Sequence, residues 1–178
     1  MLKIAVTGDM GVGKTTLINR LVKDIYGDQT IYGFRTKKIE GSTSSDMAQI
    51  HIYSAMGEMI STPDNCIAEV NGMEQAVIHT NVFETLGVSF LSDIPKGSVI
   101  LMDEIGFLEA NAPAFSKSIK TLFESDYTIL SVIKPVHTPL LHYIRNHPEV
   151  SLTTVTEQNR ETVYRILCAY LCKKENQP

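Results

Sequence analysis

A run of glycines followed by lysine and threonine near the start of the chain has the residue types and spacing needed to bind phosphate. It matches the pattern GxxxxGK[ST], in which glycines let consecutive backbone N–H groups point at an anion. We expect Lys14 to contact β- and γ-phosphates, Thr15 to offer its hydroxyl to Mg²⁺, and Thr16 to add a phosphate contact. The pattern comprises Gly8, Asp9, Met10, Gly11, Val12, Gly13, Lys14 and Thr15.

Two acids directly follow the most apolar short run in the chain. Residues 98–102 predict a buried strand, and Asp103 and Glu104 come next. Because strand ends of this kind lie beside the phosphate loop in a doubly wound sheet, Asp103 is a candidate Mg²⁺ ligand, acting through water. Glu104 is the candidate that orients or deprotonates an attacking water. The pair therefore favours hydrolysis of a γ-phosphate over simple nucleotide switching.

The segments that must position these residues alternate between strands and helices. Near-continuous apolar strands separated by amphipathic helices predict an α/β fold, with a mostly parallel sheet flanked by helices on both faces. The predicted strands cover 2–7, 98–102, 128–133 and 150–155, and the predicted helices cover 14–26, 80–91, 114–125, 139–146 and a last helix capped by Thr156.

The stretch around 30–60 differs from this alternation. Short β-type runs at 31–36 and 49–53 flank a polar turn at 42–46, which predicts an antiparallel β-hairpin extension at one sheet edge. We expect an irregular stretch to follow, up to about residue 75. Strand alternation places Arg35 and Lys37 on one face and Lys38 on the other, and we expect Arg35 and Lys37 to face the phosphates.

Composition narrows the class of protein. The 178 residues suit one domain, 1–178, and the 43% hydrophobic and 20% charged shares are typical of a globular chain. The net charge of −4 gives no basic footprint for nucleic acid. No apolar run reaches the roughly 18 residues of a membrane span, so no membrane partner is expected.

The cysteines and histidines are residues of this chain that could bind a zinc ion. Cys66, Cys168 and Cys172 include no CxxC pair, so we interpret them as core thiols in a reduced, cytoplasmic compartment. The five histidines share no ligand spacing on one face of a predicted helix, which predicts no zinc site.

Further motifs extend the pattern over nearly the whole chain. The segment GFRT occupies 33–36, the acidic pair opens DEIGFLE at 103–109, and TEQNR occupies 156–160. In order and spacing these segments resemble the small P-loop nucleoside-triphosphatase family of thermophiles, which has a human cancer-related member and relatives described as nucleotide-kinase-related. The combination of DEIGxxE with a late TxxNR is more specific than the phosphate pattern alone.

The resemblance implies a P-loop domain, a three-layer sandwich, that hydrolyses ATP, GTP and other nucleoside triphosphates with Mg²⁺ and little base selectivity. Residues 8–16 would bind the phosphates, Lys14 and Glu104 would be catalytic, and Thr15 and Asp103 would serve the metal ion.

Other matching residues are less clearly assigned. Asn159 and Arg160 match a late NR pair that closes over the base or supports the loop beside it, and we assign Arg160 to nucleotide binding. Glu109 is either a loop contact or a functional acid. The turn at 42–46 lacks the arginines that the family has there, which leaves Arg35 as the nearest arginine candidate.

The end of the predicted strand 128–133 offers one more polar group. In related P-loop ATPases a polar residue at such a strand end senses the γ-phosphate, and Ser131, Lys134 and His137 are the residues available here.

Two other functions remain open from the sequence. A nucleoside or nucleotide kinase would use the same fold but needs an acceptor pocket and often a basic lid, which the serine-rich turn does not supply. A nucleotide-dependent binding module would use hydrolysis only to reset itself, with the segment 30–75 as its partner surface. Fold analogy alone does not choose among the three.

Overall fold

The computed structural model describes residues 1–41, 47–71 and 75–175. Its strands form one eight-stranded sheet. They are β1 Lys3–Thr7, β2 Ile31–Ile39, β3 Ala48–Ser54, β4 Cys66–Asn71, β5 Gln75–Ile78, β6 Val99–Ile105, β7 Thr128–Ile133 and β8 Val150–Thr154. The order across the sheet is β5-β4-β3-β2-β6-β7-β1-β8.

Helices connect and cover the strands. A π-helical turn, Val22–Tyr26, continues the first helix up to Gly27, and another, Phe83–Gly87, continues the second. The helices are α1 Lys14–Leu21, α2 Thr80–Val82, α3 Pro113–Phe123, α4 Pro139–Asn146 and α5 Arg160–Glu175.

The parallel half of the sheet confirms the predicted α/β architecture. Strands β2, β6, β7, β1 and β8 pair in parallel, so their carboxyl ends lie at one edge. Buried clusters cover both faces: Ile100 and Met102 of β6 belong to one cluster, and Val99 and Leu101 to the other. This alternation within an apolar strand is expected where helices pack on both sides.

The antiparallel extension is larger than the sequence predicts. Strands β2 to β5 pair antiparallel in succession, so the hairpin is confirmed, but the irregular stretch predicted up to residue 75 contains the strand Cys66–Asn71. The pairing of β3 with β4 is shifted between Ile50 and His51, so a simple apolar-polar alternation does not mark β4. The predicted turn at 42–46 lies outside the described residues.

The prediction that Cys168 and Cys172 of the last helix are core thiols is wrong. Cys172 is exposed and Cys168 only half-buried, whereas Cys66 is a core thiol as predicted. The buried face of α5 is formed by Val163, Leu167 and Leu171, which are four residues apart, so side chains next to that stripe turn outward.

Within the described residues, no helix combines the length and apolar character required to cross a membrane.

The core is densest where aromatic rings meet under the extension. Phe115 of α3 is 1% exposed, and its ring centroid lies 5.2 Å from those of Phe34 and Phe83. A Cβ at Gly87 would lie 2.9 Å from this ring, so the packing there has no room for a larger side chain.

Replacing Phe115 by alanine is therefore expected to lower the free energy of unfolding by about 3–5 kcal/mol, because a large cavity opens between α3 and the sheet. Phe107→Ala is the matched control, since that ring is 46% exposed and should cost much less. Equilibrium denaturation in urea measures both variants; equal losses would contradict this account of the core.

Candidate active site

The predicted phosphate loop lies between the carboxyl end of β1 and the start of α1. Gly8, Gly11 and Gly13 have φ angles of 146°, 83° and 91°, a region that favours glycine. At Gly13 space is limiting as well, because a Cβ would lie 2.5 Å from Nη1 of Arg160. The loop geometry thus requires the glycines that the motif supplies, and it leads directly into the N-terminus of α1.

Lys14 is the first residue of α1, and its ammonium group turns back into the loop. Nζ donates to the carbonyl oxygens of Gly8 and Asp9, each at 2.9 Å, and lies 3.6 Å from Oε1 of Glu104. The side chain is 8% exposed. A positive charge is therefore held at the centre of the loop, as the motif predicts.

Thr15 and Asp103 bring the loop and β6 together. The Thr15 hydroxyl donates to Oδ1 of Asp103 at 3.0 Å. Burial raises the pKa of Asp103 to about 6, aided by the nearby Glu104 carboxylate and opposed by the Thr15 hydrogen bond. Two adjacent oxygen ligands, one of them a buried carboxylate, are the kind of site that binds a hard divalent cation such as Mg²⁺.

Glu104 lies between two lysines. Its carboxylate is 3.6 Å from Nζ of Lys14 and 3.4 Å from Nζ of Lys134, which follows β7. Its backbone N–H donates to the hydroxyl of Thr36 on β2 at 3.2 Å, and the peptide bond that joins it to Asp103 is cis. The contacts hold the carboxylate beside the loop and leave it 23% exposed.

Lys134, one of the three polar residues at the end of β7, contacts Glu104. Ser131 is buried and its hydroxyl donates to the carbonyl oxygen of Ile4, so it is committed to the sheet. Lys134 crosses Gly106, where a Cβ would lie 2.8 Å from Cδ of the lysine. The glycine of the DEIG segment thus makes room for this side chain.

Arg145 stabilises the segment that follows β7, a role that the sequence does not predict. From α4 it donates to the carbonyl oxygens of Lys134 and Val136 at 2.5 and 2.7 Å. A basic residue in the last turn of a helix is explained by its favourable interaction with the helix dipole. The sequence therefore gives no signal for this role. The contact of Thr36 with the backbone of Glu104 is likewise not predicted by the GFRT motif.

Arg35 pairs in register with Asp103 across β2 and β6. Its Nε is buried and has no hydrogen-bond partner among the described residues. Burial lowers the pKa of Arg35, and the Asp103 carboxylate opposes that shift. Lys37 and Lys38 are exposed, and Lys38 pairs with Glu40 at 2.7 Å. Of the three basic residues in β2, the structure brings Arg35 to the acidic pair.

Glu109 is a loop contact. It is 4% exposed, and Oε1 accepts the backbone N–H of Gly106 at 2.5 Å. Burial raises its pKa to about 7, against the effect of its backbone hydrogen bonds and of the Lys134 charge. The residue closes the turn that follows β6, and its carboxylate is directed at the backbone.

The late TEQNR segment divides into two roles. Thr156 and Asn159 exchange hydrogen bonds between side chain and backbone at 3.2 and 2.7 Å, which forms a cap for α5. Arg160 is exposed, and its Nη1 donates to the carbonyl oxygen of Val12 at 3.4 Å. Asn159 therefore shapes the turn, and Arg160 lies against the phosphate loop.

The chain is similar to known proteins in both sequence and structure. A family model described as NTPase matches residues 3–168. The nucleoside-triphosphatase THEP1 of Thermotoga maritima is 26% identical over 172 residues, which cover 96% of this chain and 95% of that protein. The nucleoside-triphosphatase THEP1 of Methanosarcina barkeri is 28% identical over 167 residues, covering 90% of this chain and 92% of that protein.

Two solved structures share the fold. The crystal structure of THEP1 from Aquifex aeolicus superposes with a TM-score of 0.72 at 23% identity, over 96% of this chain and 99% of that one. The solution structure of a human cancer-related nucleoside triphosphatase also gives a TM-score of 0.72, at 21% identity, and covers 100% of both chains. Because the family match spans nearly the whole sequence and its relatives are nucleoside-triphosphatases, the chain belongs to the NTPase family and is a nucleoside-triphosphate-hydrolysing enzyme.

Proposed function

We propose that residues 8–16 hold the triphosphate of a nucleoside 5′-triphosphate and that Glu104 directs water onto the γ-phosphorus, releasing the nucleoside diphosphate and inorganic phosphate. The observation that carries this proposal is the Glu104 carboxylate, placed 3.6 Å from Lys14 and 3.4 Å from Lys134 beside the phosphate loop. A carboxylate there is within reach of both a bound water and the charges that would stabilise the reacting phosphate.

Binding begins with the loop backbone and the N-terminus of α1, which attract negative oxygens. Lys14 exchanges its contacts with Gly8 and Asp9 for the β- and γ-phosphates. Met10 is 91% exposed, so Met10 acts through its backbone alone. Asp9, Gly11, Val12, Gly13 and Thr16 complete the phosphate contacts, and Arg160 reaches the nucleotide from its position beside Val12.

Thr15 and Asp103 would hold Mg²⁺, which supplies Lewis-acid stabilisation of the phosphate oxygens when it is bound. The support is the chemistry of the two side chains: a hydroxyl and a buried carboxylate 3.0 Å apart. Arg35, on the neighbouring strand, favours the ionised form of Asp103 by its positive charge, against the larger effect of burial.

In the chemical step, the oxygen of water bonds to the γ-phosphorus and the bond to the β–γ bridging oxygen breaks. Glu104 takes the proton that the attacking water loses. Lys134 is a positioning residue, since it holds the second oxygen of the same carboxylate. Lys14 stabilises the negative charge that moves towards the bridging oxygen.

The assigned contacts are to the triphosphate, which all nucleoside triphosphates share. We therefore propose that ATP, GTP and other nucleotides are all substrates, and that residues 1–178 act as a single domain. Cys66, Cys168 and Cys172 are present as thiols, which supports a reduced, cytoplasmic location.

The direct test is incubation with ATP and Mg²⁺, with and without a panel of nucleosides and nucleotides. Phosphate release that needs no acceptor is the expected result. A phosphorylated acceptor would identify a kinase instead, and tight binding without turnover would identify a nucleotide-dependent binding module.

Lys14→Ala should lower hydrolysis by at least about tenfold, equivalent to ~1.4 kcal/mol of transition-state stabilisation, because the loop loses its central charge. Lys23→Ala, which removes an exposed lysine, is the control. Phosphate-release kinetics measure both; near-normal hydrolysis by folded Lys14→Ala would overturn the site assignment.

Glu104→Gln should leave nucleotide binding largely intact and slow the chemical step, because an amide can position water but cannot accept its proton. Single-turnover kinetics and a separate binding titration distinguish the two effects. Exposed Glu58→Gln is the control. If Glu104→Gln binds and hydrolyses ATP normally, another group is the base.

Asp103→Asn should raise the Mg²⁺ concentration needed for half-maximal turnover, because a carboxylate ligand is lost next to Thr15. A Mg²⁺ titration at saturating ATP measures the shift. An unchanged Mg²⁺ dependence would remove Asp103 from the metal site.

Arg35→Ala should lower turnover or nucleotide affinity more than Lys38→Ala, since Arg35 lies beside Asp103 while Lys38 pairs with Glu40. Because Arg35 is half-buried, its effect should persist as salt rises, whereas any effect of exposed Lys38 should be screened. Paired kinetic series at several salt concentrations test this, and equal, negligible effects would make β2 a plain sheet strand.

A further inference from the structure

Three side chains that commonly bind metal ions meet on the antiparallel extension. The Cys66 sulfur, a Glu69 carboxylate oxygen and a His79 ring nitrogen lie within 4.8 Å of one another. Nε2 of His79 is 3.5 Å from Oε1 of Glu69. Cys66 and Glu69 belong to β4, and His79 directly follows β5, so two adjacent strands supply the cluster.

The register of the sheet creates this cluster. Residues three apart on a regular strand point to opposite faces, so Cys66 and Glu69 would ordinarily be separated by the sheet. Here Cys66 pairs with His51 and Glu69 with Gln49, two residues of β3 that share a face, because the pairing shifts between Ile50 and His51. The irregularity therefore turns both side chains to one face, as bulges often do beside functional sites.

His79 is in phase with that face. Glu69 pairs with Val77, and His79 lies two residues further along, with its N–H donating to the carbonyl oxygen of Ile67 at 2.9 Å. On the other side of Cys66, Nδ1 of His51 is hydrogen-bonded to Asn65 at 2.8 Å and Nε2 faces Gln49 at 3.3 Å. His51 is thus engaged by its neighbours, and His79 is the imidazole that faces the thiol and the carboxylate.

We propose that Cys66, Glu69 and His79 bind a divalent cation of the zinc class, separate from the Mg²⁺ assigned to Thr15 and Asp103. A thiolate, an imidazole and a carboxylate together select a borderline-soft ion over Mg²⁺. Bonds of about 2.0–2.3 Å around such an ion bring its ligands to roughly 3.5 Å from one another.

Small side-chain rotations are enough to reach that separation. Cys66 is 4% exposed and fixed in its strand, whereas the Glu69 and His79 side chains are 37% and 35% exposed and can turn towards it. The spacing of the five histidines predicts no zinc site, because they share no ligand spacing on one face of a predicted helix. This cluster combines three residue types across two strands.

The ion would keep one position open. The three ligands line a cavity of about 790 Å³ that also borders Gln49, Thr85 and Ser89. Three protein ligands with a fourth position facing such a space are typical of a site whose last ligand is water or an exchangeable molecule.

Titration of the full-length, tag-free, reduced protein with Co²⁺ tests the proposal without reference to hydrolysis. Cobalt bound to a thiolate gives a ligand-to-metal charge-transfer absorbance, and Zn²⁺ should displace it. We expect one equivalent to bind with this signal, and Zn²⁺ alone to raise the melting temperature by mass action.

Variants identify the ligands. Cys66→Ser should abolish the charge-transfer band, and His79→Gln and Glu69→Gln should each weaken Co²⁺ binding at least about tenfold. Since Cys66 is buried and its variant can lose stability, the partly exposed His79 and Glu69 keep the test decisive. The double variant Cys168→Ser/Cys172→Ser and the single variant Asp103→Asn should retain the band.

A band that survives Cys66→Ser, or that disappears with Cys168 and Cys172, would overturn the proposal, as would no thiolate-bound cobalt in the wild type. In that last outcome the cluster is a contact between His79 and Glu69 beside a thiol that donates to the carbonyl oxygen of Ala68. Because the readout is spectroscopic, failure here leaves the proposed nucleotide site untouched.

Discussion

The ammonium group of Lys14 is largely removed from water, and a buried charge of this kind costs several kcal/mol unless oxygen atoms surround it. Two backbone carbonyls and the Glu104 carboxylate meet that requirement. The loop that presents these carbonyls contains three glycines with positive φ angles. The geometry of the loop and the position of β6 are therefore both tied to one buried cation.

From Lys14 the charges continue in alternating sign across the strand ends. Glu104 lies between Lys14 and Lys134, and Asp103 lies opposite Arg35. Burial disfavours the ionised form of Asp103 and raises its pKa to about 6, even with a basic neighbour. The divalent cation that we propose for Thr15 and Asp103 would complete this balance of charges.

Local motifs were predictable from the sequence because their geometry is fixed by neighbouring residues. The phosphate loop, the strand that delivers Asp103 and Glu104, and the cap at Thr156 all fall in this class. Contacts made over long separations were not predictable. Neither the partner of Lys134 nor the support from Arg145 follows from any spacing, because the first depends on the pairing of β6 with β7 and the second on the approach of α4 to the segment after β7.

The strand Cys66–Asn71 was missed for a different reason, and that reason has consequences for function. A shift in its pairing breaks the period of two that marks a half-buried strand, so the sequence signal is lost where the side chains are redirected. The redirection brings Cys66 and Glu69 onto the face of the sheet that carries Arg35 and Asp103, as the pairs Arg35–Tyr53 and Lys37–His51 show.

One face of the sheet thus extends from the triphosphate site to the proposed metal cluster, through β2 and β3. Strand pairing fixes the distance between the two, since a slip of one residue between paired strands would turn every side chain of a strand to the opposite face. An ion held between β4 and the end of β5 would stiffen the outer edge of this sheet without entering the phosphate loop. With an ion bound as proposed, the extension would be a second functional surface as well as a widening of the sheet.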